Sequence, residues 1–150
     1  MTPLSTHFSL EELTHSEQAL RMGIPNDPPQ VARENLSRLC LMVLEPARQI
    51  LGVQIHVNSG YRSPEINRLV GSTSPHSAHL DGCAADWVPM GMPLRTAFAV
   101  LRAELRGWDQ MIMECNAWIH TSIPRLGLTA RGEALLASGS PGHWTYTALA

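Results

Sequence analysis

Two short segments constrain this chain more than anything else in it. Ser77-Ala-His79-Leu-Asp-Gly82-Cys-Ala-Ala-Asp86 and Glu114-Cys-Asn-Ala-Trp118-Ile-His120 together carry two imidazoles, one carboxylate suited to be a ligand, and one spare carboxylate. That is the inventory of a catalytic zinc site: three protein ligands, an open fourth position, and a general base beside it. A chain that uses this inventory must fold so that two segments about thirty residues apart meet.

The spacing inside each segment narrows the choice. His79 and Asp86 are seven residues apart. On a straight helix they share a face but stand about 10 Å apart, whereas zinc ligands all lie about 2.0–2.3 Å from the metal. A loop turning at Gly82 into a strand from Ala84 can fold Asp86 back toward His79. The small residues Gly82, Ala84 and Ala85 are then expected to give the metal clearance. Glu114, Asn116, Trp118 and His120 are spaced by two and share one face of an extended strand. His120 can supply the third ligand. Glu114 would be about 20 Å away along a straight strand, so a turn or bulge around Asn116-Ala117 is required if it is the base. Trp118 would then line the pocket.

Taken singly, these residues say little. A lone histidine in an apolar run is more often structural, and a lone Asp86 reads as a cap or turn residue. His7, His15, His56, His76 and His143 have no partner at diagnostic spacing and read as surface or core residues, with His76 the nearest rival. Glu104 and Glu133 read as solvated helix positions. The conjunction of the two segments carries the argument.

The rest of the chain sets bounds. Its 150 residues suit one domain, and 44% hydrophobic content supports a core. A net charge of -2 offers no basic field for nucleic acid or an anionic membrane. Low charged content with 11 Pro and 11 Gly predicts many turns. Three widely spaced cysteines without a CxxC pair argue against a disulfide framework or a zinc ribbon, and Cys40 and Cys115 read as small core residues. No signal peptide and no bilayer-spanning stretch is visible. The expectation is a monomer made in the cytosol that acts elsewhere only once something releases it.

Patterning predicts a helix capped by Ser9 and ending near Gly23, then a long helix over 30–51 that Pro46 either kinks or restarts. A strand over 53–57, a helix from Pro64 to Val70, a strand over 84–88 and a helix over 93–105 follow. A polar loop over 71–76 precedes the first motif. Strands over 108–114 and 118–121 read as one hairpin, 131–136 as a short helix, and the last dozen residues as polar and Gly/Ser/Pro-rich. The class is α+β, with helices packed on a small antiparallel sheet.

At this point the residues resemble a known family. Ser59-Gly-Tyr-Arg62-Ser, Asn67, Val70-Gly71, Ser77-x-His79-x-x-Gly82-x-Ala84-x-Asp86, Asp109-Gln110, Glu114 and Trp118-x-His120 are similar to the zinc D-Ala-D-Ala carboxypeptidases. These share a fold with D-Ala-D-Ala dipeptidases, phage murein endopeptidases and the hedgehog signalling domain. The resemblance runs from about Phe8 to Ser122. It implies one zinc ion held by His79, Asp86 and His120, with Arg62 gripping a substrate carboxylate or polarising the scissile carbonyl, which suits a guanidinium. It places Ser77 near the substrate and gives Asp109-Gln110 a supporting role. Many members carry the catalytic carboxylate three residues before the last histidine, where this chain has Ala117. In the phage-type branch it lies farther upstream, which points to Glu114.

The expected chemistry is hydrolysis of a peptide bond in the peptidoglycan stem, of D,D-carboxypeptidase or L,D-endopeptidase type. A phage or prophage lysis enzyme, or a virion protein, fits the missing leader. Two other classes stay open: a zinc-containing module that binds cell wall or peptide without cutting it, and a structural phage protein whose zinc serves folding.

Overall fold

The computed structural model describes every residue except Thr73 and Pro141. One position of the loop read over 71–76 therefore lies outside the described residues. Ser9 caps α1 (Leu10–Thr14), its hydroxyl accepting from the Glu12 N–H at 3.3 Å. The one helix expected up to Gly23 is two. His15 is extended, and Ser16 starts α2 (Glu17–Met22) by accepting from the Ala19 N–H. Ser16 followed by Glu17 is a start signal as good as the first, and it interrupts the run.

Helix α3 (Gln30–Leu39) passes through a π turn at Cys40–Leu44 into α4 (Glu45–Leu51). Pro46 has no N–H to offer the Met42 carbonyl. The chain meets this with one wide turn, in which the Glu45 N–H reaches back to Cys40 O, and Pro46 stands in the first turn of α4. Strand β1 (Ile55–Ser59) buries Ile55 and Val57 and exposes His56 and Asn58, as its alternation predicts. Helix α5 (Pro64–Leu69) is capped by Ser63. A 3-10 turn at Ala78–Asp81 precedes β2 (Ala84–Pro89), and α6 (Leu94–Glu104) follows.

Strands β3 (Gln110–Glu114) and β4 (Trp118–Ser122) form the expected hairpin. Cys115 and Asn116 have φ of 52° and 57°, and the Ala117 N–H bonds Glu114 O at 2.8 Å. Two left-handed residues in succession make the tight turn whose twist matches its strands. Cys115 therefore sits half-buried in a turn, not in the core as its apolar neighbours suggested.

The C-terminal expectations fail. The helix read over 131–136 is strand β5 (Glu133–Ser140), and the last dozen residues hold β6 (His143–Leu149). Glu133 to Ala137 contains good helix formers, but β3 offers an unpaired apolar edge. β5 pairs with it in parallel, Gln110 beside Glu133 and Glu114 beside Ala137. Pairing of that kind overrides a weak intrinsic preference. In β6 the Trp-Thr-Tyr-Thr alternation was a strand signal that local composition hid.

The fold is α+β, as expected, but among the described residues the sheet has six strands in the order β1-β2-β4-β3-β5-β6, antiparallel except for β3 and β5. One face, with Trp87, Met111 and Ile119, is sealed by Leu36, Leu39, Val43 and Leu44 of the long helix and by Leu101 of α6. Among the described residues no helix is long and apolar enough to cross a membrane. The other face carries the polar residues of the two motifs.

Candidate metal centre

Asp86 of β2 stands directly opposite His120 of β4. Cβ atoms of such a pair lie about 5 Å apart, so two short side chains can meet above the sheet. His79 arrives from the 3-10 turn just before β2. Gly82 ends that turn in the left-handed region, and a Cβ there would lie 2.4 Å from the Ala32 carbonyl. This glycine serves the turn and the packing on α3, and not clearance for a metal as its place in the motif suggested.

Asp86 Oδ1 lies 2.9 Å from His120 Nδ1 and 3.3 Å from His79 Nε2. All three donor atoms lie within 4.8 Å of one another. The two imidazole rings meet edge to face with centroids 5.1 Å apart. His79 Nδ1 is 2.7 Å from the Gly60 carbonyl. A carbonyl only accepts, so Nδ1 carries the hydrogen and Nε2 keeps its lone pair for the centre. Donors about 2.1 Å from a tetrahedral ion stand about 3.4 Å apart. Two nitrogens and one oxygen at the observed separations therefore fit a zinc-sized ion with little movement.

The protonation states suit the same purpose. Burial opposes the charge on Asp86, yet the two imidazoles beside it hold its pKa well below the usual carboxylate range. Burial lowers the pKa of His79 despite the pull of Asp86, which favours the neutral ring. Metal ligation requires an ionised carboxylate and a neutral imidazole.

Arg62 stands in this cluster in a way its sequence did not predict. Its Nη2 donates to Asp86 Oδ2 at 2.7 Å and its Nε to Ser59 Oγ at 3.0 Å. The guanidinium lines the cleft, where it was expected to meet substrate, and it also holds the second oxygen of the ligand carboxylate, so that Oδ1 is left to the imidazoles.

Glu114 faces Trp118 across the hairpin, while Ile112 faces His120. Glu114 is thus a diagonal neighbour of His120, with backbones about 7–8 Å apart and not 20 Å. Burial raises its pKa; His120 and Arg62 oppose this and Asp86 adds to it. Trp118 and Ser77 line the same cleft, whose volume is about 1190 Å³. Asp109 and Gln110 do not reach the trio. Asp109 binds Arg131 at 2.7 Å, and Gln110 Nε2 donates to Glu133 Oε1 at 2.6 Å, which ties β3 to β5. Glu133 is accordingly a strand residue with a partner. His76 lines the cleft but stays out of the trio.

Four contributors escaped the sequence reading. The Gly60 carbonyl has no sequence signature, because any residue offers one. His15 lines the cleft. Trp144 and Tyr146 of β6 also line the cleft, and their spacing by two was the available signal. A family model described as Peptidase M15 matches residues 6–122. No curated protein matches the chain.

Proposed function

Because the chain belongs to the peptidase M15 family, whose members are zinc-dependent peptidases, we propose that it hydrolyses a peptide bond in the stem peptide of peptidoglycan. The family is the one the motifs resembled. The observation that carries the reading is the convergence of His79 Nε2, Asp86 Oδ1 and His120 Nδ1 on the face that also bears Glu114.

His79, Asp86 and His120 would hold the ion. Bound there, zinc would polarise a carbonyl and lower the pKa of a coordinated water to about 7. The remaining work falls to the chain. Glu114 accepts the proton of the attacking water and hands it to the departing amine. Its half-buried setting raises its affinity for that proton, which suits both steps. The Gly60 carbonyl keeps the His79 tautomer fixed, and Arg62 keeps Asp86 turned. Arg62 also brings positive charge to the place where an oxyanion develops. Ser77 and Trp118 line the cleft where the peptide would lie.

Incubation of the zinc-loaded protein with purified muropeptides, with and without chelator, tests this. Mass spectrometry should show a chelator-sensitive cleavage within the stem peptide and identify the bond. Intact muropeptides in the presence of folded, zinc-loaded protein would favour a binding module instead.

A further inference from the structure

The cleft does not end at the metal trio. Its lining continues across the sheet to Trp144 and Tyr146. Both stand on the face that carries Asp86, His120 and Glu114, because the register puts Glu114 beside Ala137 and Ala137 beside Tyr146. Two strand spacings, about 10 Å, separate the Glu114 and Tyr146 backbones. Glu114 and Tyr146 line the same cleft, and burial, then the charge of Glu114, raises the pKa of the Tyr146 phenol. Trp144 lies one step further along, opposite Gly139. At Gly139 φ is +115° and a Cβ would lie 2.2 Å from the His143 carbonyl, so no side chain can stand across from the indole.

Of the eight aromatic residues, Trp144 and Tyr146 are the two that are exposed, at 42% and 50%. Both belong to a hairpin that lies outside the residues matching the family. We propose that Trp144 and Tyr146 form a sugar subsite of the cleft, which takes an N-acetylated hexosamine ring of the glycan that bears the stem peptide. The proposal rests on the peptidoglycan reading above. An aliphatic side chain is best held in a walled pocket. These rings lie open on an edge strand. A pyranose has one apolar C–H face to stack on them and a polar rim within reach of the indole N–H and the phenol O–H. The distance agrees: about three extended residues span the 10 Å from Glu114 to Tyr146, the order of spacing between a glycan and a bond within its stem peptide.

The test compares two substrates of the zinc-loaded protein, a disaccharide-linked stem peptide and the same peptide without sugar. In the wild type, kcat/KM should favour the sugar-linked form. Trp144→Ala and Tyr146→Ala should each cut that preference about tenfold through KM, and Trp144→Phe should keep most of it. Equal losses on both substrates, or no loss on either, would overturn the proposal. If the wild type cuts neither substrate, the peptidase reading fails and binding decides the subsite. Titration with the peptide-free disaccharide should then quench tryptophan fluorescence in the wild type and not in Trp144→Ala. Identical titrations of the two proteins would overturn the subsite as well.

Discussion

Arg62 Nη2 donates to Asp86 Oδ2 at 2.7 Å, on the oxygen of Asp86 that neither imidazole touches. The pairing makes Arg62 a positioning residue for a metal ligand before it is anything else. Replacing Arg62 by Met should weaken metal binding about 10–100-fold, the usual effect of losing a partner that orients a ligand. Lys, without the planar fork, should restore only part of it. Metal content after dialysis against graded chelator checks this. Wild-type retention in Arg62→Met would return the arginine to a role on substrate alone.

His120→Ala should lose metal and hydrolysis together, because two donors cannot close a site that needs three protein ligands. His56 lies on the exposed face of β1, so His56→Ala serves as the control and should change neither property. Elemental analysis after zinc-replete purification decides. A His120→Ala protein carrying a full equivalent of zinc would end the proposed ligand set.

Glu114→Gln should keep its metal and lose turnover by about 10²–10⁴-fold. The base works ionised, so activity falls as pH drops through its pKa. Burial raises that pKa, and the acid limb of the kcat profile should therefore lie above the ordinary value for a glutamate. In Glu114→Gln that limb should vanish. An acid limb unchanged in the variant would assign it to another group.

Behind the site, Trp87 Nε1 donates to Thr121 Oγ1 at 3.0 Å, with both residues fully buried. Thr121→Val preserves shape but leaves the indole N–H without a partner. The cost should be about 1–3 kcal/mol, a fall in Tm of several degrees (about 2–4 °C for each kcal/mol). Metal content should not change, since Thr121 faces the helices. Loss of metal without loss of stability would contradict the division of the sheet into two faces.

Short-range patterns were legible in the residues. Serine caps and the alternation in β1 announced their elements. Misreadings arose where a neighbour distant in sequence decided the outcome. Residues 133–137 look helical until the free edge of β3 takes them as a parallel strand. The hairpin that Glu114 needs in order to stand near His120 was legible, while its left-handed pair proved to be Cys115 and Asn116, one residue earlier than Asn116-Ala117. Gly82 looked like clearance for a metal, and its neighbour is the Ala32 carbonyl.

The sequence by itself determined which donors the protein owns and that a His-Asp-His set with a spare carboxylate suits zinc hydrolysis, because ligand preference belongs to the side chain. It also determined most helices and strands, because their periodicity is local. Only the tertiary structure decided that Arg62 turns to Asp86, that Gly60 fixes the His79 tautomer, and that Trp144 and Tyr146 extend the cleft. Those relationships follow from strand register, which is set by packing between segments far apart in the chain.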